Sequence, residues 1–260
     1  MPQTETRLFG IRVFASNVKE ASASVVALAL RGIGGHVCVS NVDMVTRAKR
    51  DPKLRATMTD AALVVTDGVP LVWMLRKLGH REAERVYGPA LTLQLCSDCQ
   101  DAGLAIYLYG GTEAEVTSMV VALNKRFPRL HIAGAVSPPM LPANPPLDLA
   151  IARSIDGSGA ALVFVGLGCP KQEYWMANHA GHLRAVTVGV GLAFAQIAGL
   201  KAPAPAWMSN NGLEWVFRLC QEPRRLWRRY LVGNSLFLWY CLEEFAGRVL
   251  KRNSNGRGHA

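Results

Sequence analysis

The sequence has no uninterrupted apolar run of the ~18–20 residues that a membrane-spanning helix requires. Its nearest approach, Leu231 to Leu242 (LVGNSLFLWYCL), is short and is broken by Gly233, Asn234 and Ser235. Such a stretch suits a core helix or an interfacial one. The opening MPQTETRLFG has no basic flank followed by an apolar core, so no signal peptide is expected. Cysteines are few and lack framework spacing: Cys38, Cys96, Cys99, Cys169, Cys220 and Cys241. Reduced thiols in a cytoplasmic protein are expected. Cys96-Ser-Asp-Cys99 has CxxC spacing, but no second CxxC or histidine pair accompanies it. Two buried thiols on one helical turn are therefore expected, rather than a zinc or redox site. Repeats and long low-complexity segments are absent. Charge is scarce too: at 18% charged and 50% hydrophobic, the composition argues against a disordered chain.

What the 260 residues do hold is enough apolar material for one large domain, or a domain with an appendage. The net charge is +10, and it is unevenly spread. Residues 201–260 carry ten basic and four acidic side chains, so the last quarter contributes most of the excess. A basic end implies an anionic partner: nucleic acid, phospholipid or a phosphorylated substrate.

Short apolar runs alternate with helical patterns. Strands are expected at Ile11–Phe14, His36–Ser40, Leu63–Thr66, Ala105–Tyr109, Leu130–Ala135, Ala160–Val165 and Ala185–Val188. Helices are expected at Val18–Gly32, Val42–Lys49, Pro52–Ala61, Pro70–Leu78, Ala90–Ala102, Glu113–Phe127, Leu147–Ile155 and Lys171–Ala180. The strands are apolar throughout, as in a sheet covered on both faces. The alternation gives an α/β, Rossmann-like layered domain with a mostly parallel sheet over residues 1–200. SPPMLPANPP, residues 137–146, reads as a Pro-rich loop. Beyond Ala202-Pro203-Ala204-Pro205, residues 201–252 read as a helical, basic C-terminal appendage, and residues 253–260 as a disordered tail.

Ligands of parallel α/β sheets bind beyond the carboxyl ends of the strands. Asn41, Asp67-Gly68, Gly110-Gly111, Gly166 to Gln172 and Gly189-Val190-Gly191 all fall there. Glycines let a ligand approach backbone N–H groups, and helix N-termini favour anions, so a phosphorylated ligand is the simplest choice. Asp67 suits a general base, or equally an Asp-Gly turn or helix cap. Arg85 suits a phosphate or carboxylate clamp, or an exposed loop position. Asn41 suits a substrate hydrogen bond or the cap of the next helix. Lys171, Gln172 and Glu173 form either a ligand-facing first turn or a solvated one. In the appendage Arg218, Arg224, Arg225, Arg228 and Arg229 interleave with Trp215, Trp227 and Tyr230. That strip fits a peripheral membrane helix, a nucleic-acid surface, or a solvated face with its stems on the core. Glycine turns at strand ends also suit a dinucleotide, but no GxGxxG follows an early strand with an acidic residue about 20 on.

Several strings together resemble the WecG/TagA/CpsF family of bacterial glycosyltransferases. They are Asn41-Val42-Asp43, Thr66-Asp67-Gly68-Val69-Pro70, Glu84-Arg85-Val86-Tyr87-Gly88, Leu108-Tyr109-Gly110-Gly111, Phe127-Pro128, Gly166-Leu167-Gly168-Cys169-Pro170-Lys171-Gln172-Glu173, Val188-Gly189-Val190-Gly191, and Gly212-Leu213-Glu214-Trp215 through Glu222-Pro223-Arg224-Arg225 to Arg228-Arg229-Tyr230. The resemblance covers about residues 8–232. It implies an inverting transfer from a UDP-sugar to a polyprenyl-diphosphate-linked saccharide, with neither a metal motif nor a cofactor. The place is the inner face of the cytoplasmic membrane, the products surface polysaccharides. It implies that Asp67 is the base and that Asn41, Arg85 and Gln172 line the pocket. The glycines Gly110, Gly111, Gly166 and Gly168, with Lys171, would then border the substrate. Arg218, Arg224 and Arg228 would face the diphosphate, and the basic helices would meet an anionic membrane. A nucleic-acid partner is not expected; a homo-oligomer is left open. The chain departs from the family pattern at Val39, where a threonine is frequent. It departs again at Phe194-Ala195-Gln196 and Pro203-Ala204-Pro205, where FDF and RAP are favoured. A non-catalytic membrane-associated protein of the same fold is the rival reading.

Overall fold

The computed structural model describes residues 5–255; residues 256–260, where the expected tail ends, lie outside the described residues. The chain opens with β1 (Glu5–Leu8) and β2 (Ile11–Phe14). Six further strands follow in alternation with helices. They are β3 (Gly35–Ser40), β4 (Leu63–Thr66), β5 (Ile106–Gly110), β6 (Ile132–Val136), β7 (Leu162–Gly166) and β8 (Val186–Gly189). Their helices are α1 (Val18–Arg31), α2 (Val42–Ala48), α3 (Pro52–Thr59), α4 (Val69–Lys77), α5 (Gly88–Ala102), α6 (Glu113–Arg126), α7 (Leu149–Gly157), α8 (Lys171–His179) and α9 (Ala193–Ile197). The C-terminal region adds α10 (Ala206–Asn210), α11 (Glu214–Gln221) and α12 (Pro223–Asn255).

β3 to β8 form one parallel sheet in the order β4-β3-β8-β7-β5-β6. Successive residues of β3 and β4 enter opposite cores. Val37, Val39, Leu63 and Val65 pack on the side of α1, α5 and α6; Cys38 and Val64 pack on the side of α2, α3 and α4. Both faces are covered, which is why these strands read as unbroken apolar runs. Local signals set the helix starts. Asn17 with Glu20 and Thr112 with Glu115 form capping boxes on α1 and α6, and Asp51 caps α3 ahead of Pro52. Gly32 and Gly103, both left-handed, end α1 and α5.

Ile11–Phe14 is not part of this sheet: it pairs antiparallel with β1 in a separate two-stranded ribbon. Phe9 and Gly10 both have positive φ, 52° and 80°, giving the tight two-residue reversal that a hairpin needs. Asparagine or a second glycine ordinarily signals such a turn; here the Phe9 ring is held by an edge contact with Phe237, 5.8 Å between centroids. Other boundaries move slightly. α5 begins at Gly88 rather than Ala90, α7 spans Leu149–Gly157, β6 spans Ile132–Val136, and α12 runs unbroken to Asn255.

Candidate functional site

Asn41 and Asp67 leave the carboxyl ends of the neighbouring strands β3 and β4. The Asn41 side chain caps α2, accepting from the Met44 N–H at 3.1 Å, and it also lines the cavity described below. The capping role of Asn41 is thus realised, at a position that also borders the cavity. Asp67 is followed by α4, whose Pro70 occupies the first turn, where no N–H is needed. Arg85 arrives from the segment between α4 and α5. That segment is pinned to the sheet by the Val86 N–H donating to the Thr66 carbonyl (2.8 Å) and the Glu84 N–H to the Ser16 carbonyl (3.0 Å). The guanidinium of Arg85 therefore meets Asp67. Nε donates to Oδ1 at 2.9 Å and to the Asp67 carbonyl at 2.5 Å, and a terminal nitrogen lies 2.8 Å from Oδ1. The Tyr87 ring lies under the guanidinium, 4.4 Å from its centroid, and Tyr87 donates its O–H to Gln196.

The C-terminal helices close over this pair. Glu214, first residue of α11, accepts from Arg85 at 2.6 Å and from Arg218 at 2.5 Å, one oxygen to each. Two carboxylates and two guanidiniums thus alternate in the order Asp67, Arg85, Glu214, Arg218. They stand in a cavity of about 640 Å³, a size suited to a nucleotide-sized ligand. Its apolar wall comes from Val42, Val69, Trp73 and Met74 on one side and Trp215, Phe237 and Leu238 on the other. Burial pushes the Asp67 carboxyl above its ordinary range, outweighing the opposing pull of Arg85. Burial also works against the charge on Glu214, but Arg218 and Arg85 together outweigh it and hold that carboxyl low. Burial pushes the Tyr87 hydroxyl up to about 12, with Glu214 and Asp67 adding to the shift.

Asn41, Asp67, Arg85 and Arg218 therefore share one cavity, although they are far apart in sequence. The remaining predicted residues lie outside its lining. Gly110 and Gly166 face each other in register where β5 connects outward to β6 and β7 connects inward to β8. This is the topological switch point of the sheet. Its β7 side lies three strand spacings from β4, about 14 Å at ~4.8 Å each, and its β5 side one spacing further. Phe194 packs against it: a Cβ on Gly166 would come within 3.0 Å of the buried Phe194 ring, and one on Gly111 within 3.2 Å. The Gly168 N–H donates to Gln172 Oε1 at 3.2 Å, after a turn whose Cys169–Pro170 bond is cis. Gln172 is only 4% exposed and gives its amide N–H to Glu173 at 2.8 Å. Lys171 donates to the Leu141 carbonyl at 2.8 Å, tying down the Pro-rich loop. Arg224 and Arg228 lie exposed on α12, Arg228 over the Trp227 ring at 5.2 Å. The side chains of Arg225 and Arg229 are outside the described residues.

Sequence reasoning singled out neither Glu214 nor Tyr87 as a site residue. Both stand inside family-like stretches, but the pairing of Glu214 with Arg85 spans 129 residues and has no local signature. Val39 and Ala195, the departures from the family pattern, are both buried in the core rather than in the cavity wall.

Residues 6–250 match the family described as "Glycosyl transferase WecG/TagA/CpsF family". Two curated relatives carry the name N-acetylglucosaminyldiphosphoundecaprenol N-acetyl-beta-D-mannosaminyltransferase. The protein from Bacillus subtilis (strain 168) is 27% identical over 225 residues, covering 86% of this chain and 82% of the relative. That from Bacillus spizizenii (strain ATCC 23059 / NRRL B-14472 / W23) is 27% identical over 200 residues, covering 76% and 75%.

Proposed function

The chain belongs to the WecG/TagA/CpsF family of glycosyl transferases, and on that premise we propose that it moves a sugar from a UDP-sugar to a polyprenyl-diphosphate-linked saccharide, with inversion and without a metal. Among hexoses, N-acetylhexosamines and uronic acids, the relatives' names favour an N-acetylhexosamine as the moved group. The same names favour an undecaprenyl-diphosphate acceptor. The observation that carries the reading is the Asp67–Arg85 pair at the end of β4, inside a cavity closed by the arginine-bearing α11.

In this reading the Asp67 carboxylate takes the proton from the acceptor hydroxyl as that oxygen attacks the anomeric carbon. UDP departs on the opposite face, which inverts the centre. A carboxyl held above its usual range by burial is a stronger base than a solvated one. Arg85 and Arg218 take up the charge that develops on the diphosphate, in a cavity that Trp73 and Trp215 also line. Among the described residues no helix is long and apolar enough to cross a membrane. α12 exposes Trp227, Leu231, Leu238, Trp239 and Leu242, with Arg224 and Arg228 beside them. That combination supports peripheral attachment to an anionic bilayer.

The test is UDP release from a panel of UDP-sugars, with and without a polyprenyl-diphosphate-linked acceptor. The expected result is acceptor-dependent release from a UDP-N-acetylhexosamine. A folded protein that releases no UDP from any donor in the panel would favour the non-catalytic rival.

A further inference from the structure

Glu214 sits where an anion from outside would be expected. Its two oxygens engage one guanidinium each, Arg85 at 2.6 Å and Arg218 at 2.5 Å. Its side chain is 12% exposed, and it lines the cavity together with Asp67. Two guanidiniums converging on one acceptor is the geometry that binds a phosphate or a second carboxylate. The cluster is already neutral, with Asp67 and Glu214 opposite Arg85 and Arg218. A diphosphate ester brings about two more negative charges. Entering beside both carboxylates, it would find its attraction to the arginines cancelled. Protonation does not relieve this at neutral pH, because the same arginines hold the Glu214 carboxyl low. Glu214 is also the first residue of α11, on a side chain with three rotatable bonds, so it can swing from the arginines without unwinding the helix.

We propose that Glu214 is an exchangeable internal anion: it holds Arg85 and Arg218 in place over Asp67 and yields both to the diphosphate of the substrate. This inference rests on the function proposed above. It predicts a cost built into binding and a benefit to turnover. The diphosphate must displace a carboxylate to enter, and the returning carboxylate helps expel the product. The ligand chemistry, a diphosphate ester, is common to the nucleotide donor and the lipid-linked acceptor.

The test compares wild type with Glu214→Gln and Glu214→Asp by calorimetric titration. The two probes are UDP and a short-chain, water-soluble prenyl-diphosphate saccharide. Glu214→Gln keeps the shape and an acceptor oxygen but removes the charge. It should bind the competing diphosphate roughly tenfold tighter, as expected when one buried like charge is removed. The probe that tightens identifies which diphosphate uses the site. Glu214→Asp, which keeps the charge, should bind no tighter than wild type. In turnover, Glu214→Gln should lower kcat together with the KM of the substrate whose diphosphate uses the site, because the diphosphate product leaves slowly; a merely structural glutamate would give a raised KM. Should Glu214→Gln fail to fold, hydrogen exchange of wild type decides. UDP or the prenyl-diphosphate saccharide, whichever uses the site, should change exchange at the start of α11, whereas uridine, which lacks phosphates, should not. Equal or weaker binding of both probes by Glu214→Gln overturns the inference, as does exchange at the start of α11 that neither UDP nor the prenyl-diphosphate saccharide changes. If wild type binds and turns over UDP-sugar but the variant is no tighter, the inference alone falls. If wild type binds neither probe and releases no UDP, the proposed function falls with it.

Discussion

Asp67 is held between two opposing influences. Burial disfavours its charge and Arg85 favours it, and burial prevails. Two outcomes follow. Transfer should fall as pH drops through a midpoint above the ~3.9 of a free aspartate, because the base must be ionised to act. Asp67→Asn should lose more than ~100-fold in kcat, the scale of a general base, measured as UDP release; near-wild-type turnover would remove Asp67 from the mechanism. Stability should move the other way. A carboxyl whose folded-state pKa is raised stabilises the fold below its unfolded pKa, and that contribution is lost as pH rises through the folded value. Thermal melts of Asp67→Asn and wild type should therefore shift in favour of the variant from pH 4 to pH 8, and an opposite trend would contradict the assigned shift. Asp67 could be singled out from the sequence because it stands at a strand end, where ligands of a parallel sheet gather. Glu214 could not, since nothing local to GLEW foretells a guanidinium brought in from the far side of β4. Gln172 is held in place at its strand end by one hydrogen bond to Glu173 and one from Gly168, leaving a second amide N–H and a second oxygen lone pair.

At the scale of elements, β5 and β7 depend on close backbone contact at their carboxyl ends. Gly110 has φ +124°, and a Cβ there would lie 2.6 Å from the Gly166 carbonyl carbon. Neither a left-handed φ nor that contact tolerates a side chain. Gly110→Ala should cost roughly 3 kcal/mol, combining backbone strain with displacement of β7. Urea unfolding measures this, and a loss under about 1 kcal/mol would mean the strands can separate freely. These glycines had been expected to make room for a ligand. In the structure they let the opposing strand and the Phe194 ring approach closely. Glycine at a strand end signals close approach of something, but sequence alone does not say whether that is backbone, ring or phosphate.

At the scale of the molecule, α12 is both a structural element and a candidate membrane face. Its inner side joins the core through Phe237, which meets Phe9, and through Tyr240, over which Lys49 lies at 5.0 Å. Its outer side carries Trp227 at 47% and Trp239 at 65% exposure. Replacing both exposed tryptophans by alanine should release the protein from anionic vesicles without lowering the melting temperature, because neither ring is packed inside. Unchanged co-sedimentation would refute a docking role for this face. The sequence by itself determined the layered α/β class, the parallel sheet and the strand ends that carry the candidate site residues. Hydrophobic period, caps and turns are local, and each is written in a few adjacent residues. Which strand ends share a cavity was decided only by tertiary structure. Strand order places Asp67 beside Asn41 and about three strands from Gly166, and the return of α11 brings Glu214 and Arg218 onto Arg85. Such long-range ion pairs depend on how whole elements pack, and no short window of sequence records that packing.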